Sequence, residues 1–146
     1  MFERIFHSVT AHWQNAKVPL LAATDPAEID RVFVALNFPL SDDVRRLYAT
    51  LGGFVDDHMD EKMFSLWSLG KIAEERSERG GEILYFADFL ISSHVYGFRH
   101  VNAATSEVVI DHHRNSATYP PYVIAPDVAT FFEQYLRDPW SVEIFV

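Results

Sequence analysis

Apolar residues recur along this chain with two different periods. Near the start, Phe2, Ile5, Phe6, Val9 and Trp13 fall three and four residues apart, the spacing of one helix stripe. The segment KVPLLAAT breaks that period and reads as a loop or a short extended piece. Asp25, Pro26 and Glu28 then make a helix start, with Asp25 at the N-cap, Pro26 at the first helical position and Glu28 completing a capping-box pattern. Ile29, Val32, Phe33 and Leu36 form its buried stripe, and Asn37 can end it. A third helix opens after Ser41, with Asp42 and Asp43 in the turn where the helix dipole favours acids. Val44, Leu47, Tyr48 and Leu51 would face inward, and Gly52 is a natural stop.

Beyond the polar run DDHMDEK the period changes. MFSLWSL reads as a strand, and GKIAEERSERGG as a helical turn or two closed by its glycine pair. EILYFADFLI, SHVYGFRHV and EVVIDHH are rich in Val, Ile, Phe and Tyr and separated by polar residues, which predicts consecutive antiparallel strands. PYVIAP is expected to be an extended link between prolines. Asp127 starts a last helix, with Val128, Phe131, Phe132, Tyr135 and Leu136 on its buried face and Asp138-Pro139 at its end. This order predicts an α+β fold, a single domain over residues 1–146 with a mainly antiparallel sheet covered on one side by helices. The apolar tail WSVEIFV would either pack on the sheet or join a second copy as a homodimer.

Composition narrows the function. Twelve Phe, six Tyr and three Trp supply a large core, so the chain is not a disordered one. The absence of cysteine excludes disulfides, thiolate metal sites and a cysteine nucleophile. No stretch approaches the roughly 20 apolar residues of a membrane span. MFERIFHSVTAHW mixes charges among its apolar residues, unlike a signal peptide, so a cytoplasmic protein with no membrane partner is expected. The net charge of −9 repels phosphate backbones and makes nucleic acid an unsuitable partner; a basic protein would instead be attracted.

Candidate chemistry is sparse. Asp111, His112 and His113 resemble the signature of the DHH phosphoesterases, in which such residues help hold two metals that activate water. A small metal-dependent hydrolase built on them is one reading. The alternative is a polar strand end: no upstream Asp-x-Asp pair is present, too little chain follows for a second domain, and neighbouring side chains on a strand point to opposite faces. His7, His12, His58, His94 and His100 show no established ligand spacing, and no nucleophile elbow, phosphate loop or dinucleotide fingerprint occurs. No cofactor is therefore expected. Asp56, Asp57, Asp60 and Glu61 form a concentrated acidic run without the regular spacing of a calcium loop. It reads as a solvated loop, as a docking loop for a Lys- or Arg-rich partner or, against its spacing, as a calcium loop. Trp67 and Trp140 are candidate aromatic anchors for the same partner, with a core role as the alternative.

Three segments together resemble the SUKH superfamily, which includes fungal glucan-synthesis regulators and many bacterial immunity proteins. They are FPLSDDVRRLYATLGGF, MFSLWSLGKIAEE, and ILYFADFLISSHVYGFRH followed by EVVIDHH and the helix DVATFFEQYL. The resemblance spans about residues 24–137, with Phe38-Pro39 where Leu-Pro is more usual and Leu51 where Asn often precedes the glycines. It implies a non-enzymatic binding domain: an immunity protein that occludes a cognate toxin, often a basic enzyme, or a regulator of cell-wall or envelope assembly. It also implies that the strand ending in Asp111 needs no metal.

Overall fold

The structure, a computed structural model, describes residues 2–79, 81–91, 93–112 and 120–138. Their order is α1 (Phe2–Asn15), α2 (Pro26–Leu36), α3 (Asp42–Thr50), β1 (Phe64–Leu66), α4 (Leu69–Arg79), β2 (Ile83–Phe89), β3 (His94–His100), β4 (Ser106–Asp111), β5 (Tyr122–Ala125) and α5 (Val128–Arg137). Every strand pairs antiparallel with its neighbour in sequence, giving a meander of order β1-β2-β3-β4-β5. The fold is α+β, a sheet flanked by helices, as the change of period requires. The tail Trp140–Val146 lies outside the described residues, as does its proposed role in a homodimer.

One face of the sheet packs on α1 and α5. Phe131 of α5 meets Phe86 of β2 and Tyr96 of β3, and Trp13 of α1 packs edge-on to Phe54 and Phe132. A bulge at Phe86 turns that ring onto Phe98, parallel at 3.9 Å. The sequence pattern had predicted cover on one side alone. In fact Val95 and Val109, which alternate with the helix-facing residues, are fully buried too, and α4 runs along β2 with Lys71 over the Trp67 ring. Burial on both faces is why these strands read as apolar runs rather than alternating ones.

Other departures are local. α4 is three turns long, because Ser68 acts as its cap and accepts from the Lys71 N–H at 3.1 Å. PYVIAP contributes a true edge strand, where proline can flank the ladder without losing a needed donor. Asn37 does end α2, in the left-handed conformation. Asp25 and Ser41 do not cap with their side chains; Glu28 pairs with Arg31, and Ser41 donates to Asp43 at 2.6 Å. Asp127 does cap α5, accepting from the Thr130 N–H at 2.7 Å.

Asp43 joins three elements. Its fully buried carboxylate accepts from the backbone N–H groups of Val44 in α3, Ser106 in β4 and Val128 in α5. Gly53 fixes the path toward the candidate site. Its φ is +104°, and a Cβ there would lie 2.7 Å from the Trp67 carbonyl oxygen, so neither the conformation nor the space admits a side chain.

Candidate functional site

The acidic run lies on the loop between Phe54 and β1, and the fold divides it. Asp57 and Glu61 are exposed. Asp56 is exposed as well, but its carboxylate accepts from the Ser68 hydroxyl at 3.0 Å, beside the first turn of α4, where the helix dipole favours a negative charge. Asp60 is only 6% exposed. It accepts from the Lys62 and Phe64 N–H groups at 2.9 and 3.0 Å, from the Trp13 indole at 3.2 Å, and from the Tyr135 hydroxyl. Burial raises its pKa and those hydrogen bonds oppose the rise. Asp60 therefore belongs to the core and cannot serve as part of a charged docking face. Trp67 is corrected in the same way: at 2% exposure it is no surface anchor, and its indole N–H donates to Asp88 at 2.6 Å. Trp140 lies outside the described residues.

Of the exposed acids, Asp57 lines a cleft of about 210 Å³. Asp57, His58 and Met59 line it from the loop, Lys71 from α4, and Ser65 and the 5%-exposed Asp88 from the sheet. The loop wall is fastened by the Ser65 hydroxyl, which donates to the His58 carbonyl at 2.7 Å. Ile91 completes the lining from the β2–β3 hairpin, and is itself 75% exposed.

That hairpin is the feature sequence reading missed. Leu90 and Ile91 have φ values of 53° and 51°, a conformation costly for any residue with a Cβ and worst for a β-branched one. The Leu90 N–H donates to the Met63 carbonyl, and the Ser93 N–H to that of Leu90. Met63 and Asp57 are also at positive φ, 69° and 67°. Two of these four non-glycine residues, Asp57 and Ile91, line the cleft itself. Strain of this kind persists where the surroundings over-determine it, and it gathers at functional sites. The signal in the sequence was the apolar pair Leu90-Ile91 at a place where a hairpin would ordinarily carry Asn or Gly.

The Asp111-His112-His113 motif is split. Asp111 accepts from the Tyr85 hydroxyl at 2.8 Å. His112 instead meets Tyr122, with Nε2 3.2 Å from the hydroxyl, and packs against His94 at a ring-centroid distance of 4.5 Å. His113 lies outside the described residues. Among the described residues, no group of three or more His, Asp or Glu side chains is placed to hold a metal ion.

Between α2 and α4 runs an open, mainly apolar groove, two hollows of about 500 and 570 Å³ that share Val32 and Ala73. No helix among the described residues is long and apolar enough to cross a membrane. Comparison with protein-family models and with curated proteins found no match for this chain.

Proposed function

We propose that this chain is a non-enzymatic, intracellular protein-binding domain that neutralises a basic toxin by occluding its working surface. The observation that carries the reading is the juxtaposition at the cleft. Ile91, a large apolar side chain 75% exposed on strained backbone, stands beside the exposed carboxylate of Asp57. An apolar anchor ringed by charge is the anatomy of an interface that draws its partner electrostatically and holds it by burial. The net charge of −9 and the resemblance to immunity proteins support the same conclusion. The interface envisaged here differs from the acidic run alone: Asp56, Asp57 and Glu61 supply steering, while Ile91 and Met59 supply the contact that excludes water.

The test is capture followed by inhibition. The tagged chain is used to capture partners at low salt and at about 0.5 M salt, where surface attraction is strongly screened. The captured protein is identified, and its own activity is titrated with the chain. The expected result is one basic partner, loss of its activity at equal stoichiometry, and weakening by Asp57→Lys with Glu61→Lys. A captured partner whose activity is unaffected, or the absence of any specific partner, would overturn the proposal.

A further inference from the structure

We infer that the groove between α2 and α4 is covered by a second copy of this chain, the two helix pairs closing into a two-fold symmetric, four-helix arrangement. The groove has a direction. Glu28 and Val32 of α2 line one hollow together with Gly70 and Ala73 of α4, and Val32 and Leu36 line the other with Ala73 and Arg76. Residue numbers rise in step along both walls, so the two helices run the same way. Val32 and Ala73, common to both hollows, mark the middle. The acidic end holds Glu28, in the first turn of α2, and the basic end holds Arg76, in the last turn of α4.

This layout selects a copy of the same chain as the occupant. Glu28 and Arg76 are the charged residues of the lining, so the groove is neutral in a chain of net charge −9. A basic partner is drawn to the acidic faces and gains nothing by charge here, whereas a second copy meets no local repulsion. A two-fold axis through the middle, across the helices, lays the second pair antiparallel to the first. Glu28 of each copy then lies over Arg76 of the other, and helix dipoles that run side by side within one copy are opposed by those of its mate. Neither charge is cancelled within one copy. Arg76 donates to the Gly81 and Ile83 carbonyls at 2.6 and 3.2 Å, neutral acceptors that aim the guanidinium without compensating it. Glu28 meets Arg31 one turn on, in an exposed pair of the kind that contributes little. Toward the middle, Ala35 and Ala73 are exposed yet small, which lets a second helix pair approach closely.

The test is sedimentation of the full chain over a range of concentrations at 0.15 M salt, where the long-range repulsion of two acidic copies is screened beyond about 8 Å. A monomer–dimer equilibrium is expected. Ala73→Glu sets two carboxylates against each other near the axis and should weaken the dimer at least ten-fold, the effect of roughly 1.4 kcal/mol. Glu28→Arg and Arg76→Glu should each weaken it as well, because each brings like charges together. Mixed with one another, those two variants restore both opposite-charge contacts, so the mixed dimer should form roughly ten-fold more tightly than either variant alone. Urea denaturation at low concentration checks that each variant is folded, and Ala73→Glu, at an exposed position, carries the test if Arg76→Glu does not fold. A chain that stays monomeric even at about 1 mM would overturn the inference and leave the groove to a foreign partner. A dimer indifferent to Ala73→Glu uses another face and would overturn it too. A mixture that associates no better than its components would refute the antiparallel arrangement.

Discussion

Tyr85 of β2 places its hydroxyl 2.8 Å from the carboxylate of Asp111 on β4, and to do so it crosses β3 at Gly97. That glycine is the condition for the contact. A Cβ at residue 97 would lie 2.3 Å from Ile83 Cγ2 and 3.2 Å from Tyr85 Cδ1. Gly97→Ala is expected to destabilise the protein by about 1–3 kcal/mol, the usual cost of overpacking. Ile83→Ala opens the space, so the cost of Gly97→Ala should fall in that background. Urea denaturation of the four proteins gives the coupling, and strictly additive effects would refute this account of the glycine.

Two acids three residues apart should behave in opposite ways. Asp60→Ala removes the acceptor of the Lys62 and Phe64 N–H groups and of the Tyr135 hydroxyl, and leaves the Trp13 indole only its 3.1 Å bond to that hydroxyl. Each buried donor left unpaired costs about 1–3 kcal/mol, so a loss of at least 3 kcal/mol is expected. Asp57→Asn, at an exposed position, should stay within about 0.5 kcal/mol of the parent while weakening partner capture. Equal stabilities for the two variants in urea would contradict the placement of Asp60.

The change from helical to strand period was legible because a buried stripe is repeated over many residues. The fate of single side chains was not. Asp56, Asp57, Asp60 and Glu61 look alike as a charge run, yet Asp60 is turned inward by bonds to Lys62 and Phe64 and met there by residues 47 and 75 positions away, Trp13 and Tyr135. Ser68 looked like the end of a strand because its role as a cap depends on the chain turning at Trp67. PYVIAP reads from sequence only as an extended link between prolines, because its pairing with β4 at the sheet edge depends on the fold. At Leu90-Ile91 local preference and global structure conflict outright, which is expected at a functional site more than in a scaffold.

Burial pushes the Asp43 carboxyl above its ordinary value of 3.8, against the opposing hydrogen bonds from Ser41, Val128, Ser106 and Val44. As pH rises the unfolded chain ionises first. The contribution of Asp43 to stability is therefore largest below about pH 3.8, falls as pH passes through the raised folded value, and is constant above it. Asp43→Asn does not titrate, and every other group is common to both proteins. The stability gap between parent and variant should accordingly narrow with rising pH. Denaturant titrations from about pH 3 to pH 7 measure it, and a gap that widens would show that the hydrogen bonds outweigh burial.

Ile91 links stability to function in a way that can be separated. Its φ of 51° should be relieved by a residue that accepts the left-handed region. Ile91→Asn keeps a side chain and is expected to stabilise the fold by about 1 kcal/mol, the lower end of the cost of that conformation. Ile91→Gly relieves the same strain but adds unfolded-state entropy, so it should gain less. Neither change removes a buried contact, because the side chain is 75% exposed. Both remove the apolar anchor, and an anchor of this kind is worth about 2 kcal/mol or more, roughly thirty-fold in affinity. A more stable protein that binds its partner worse is the expected pair of results, from urea midpoints and partner titration on the same samples. If stability falls in both variants, the backbone there is not strained; if affinity is unchanged, the hairpin tip is not the anchor and the contact surface must be sought elsewhere, first in the groove between α2 and α4.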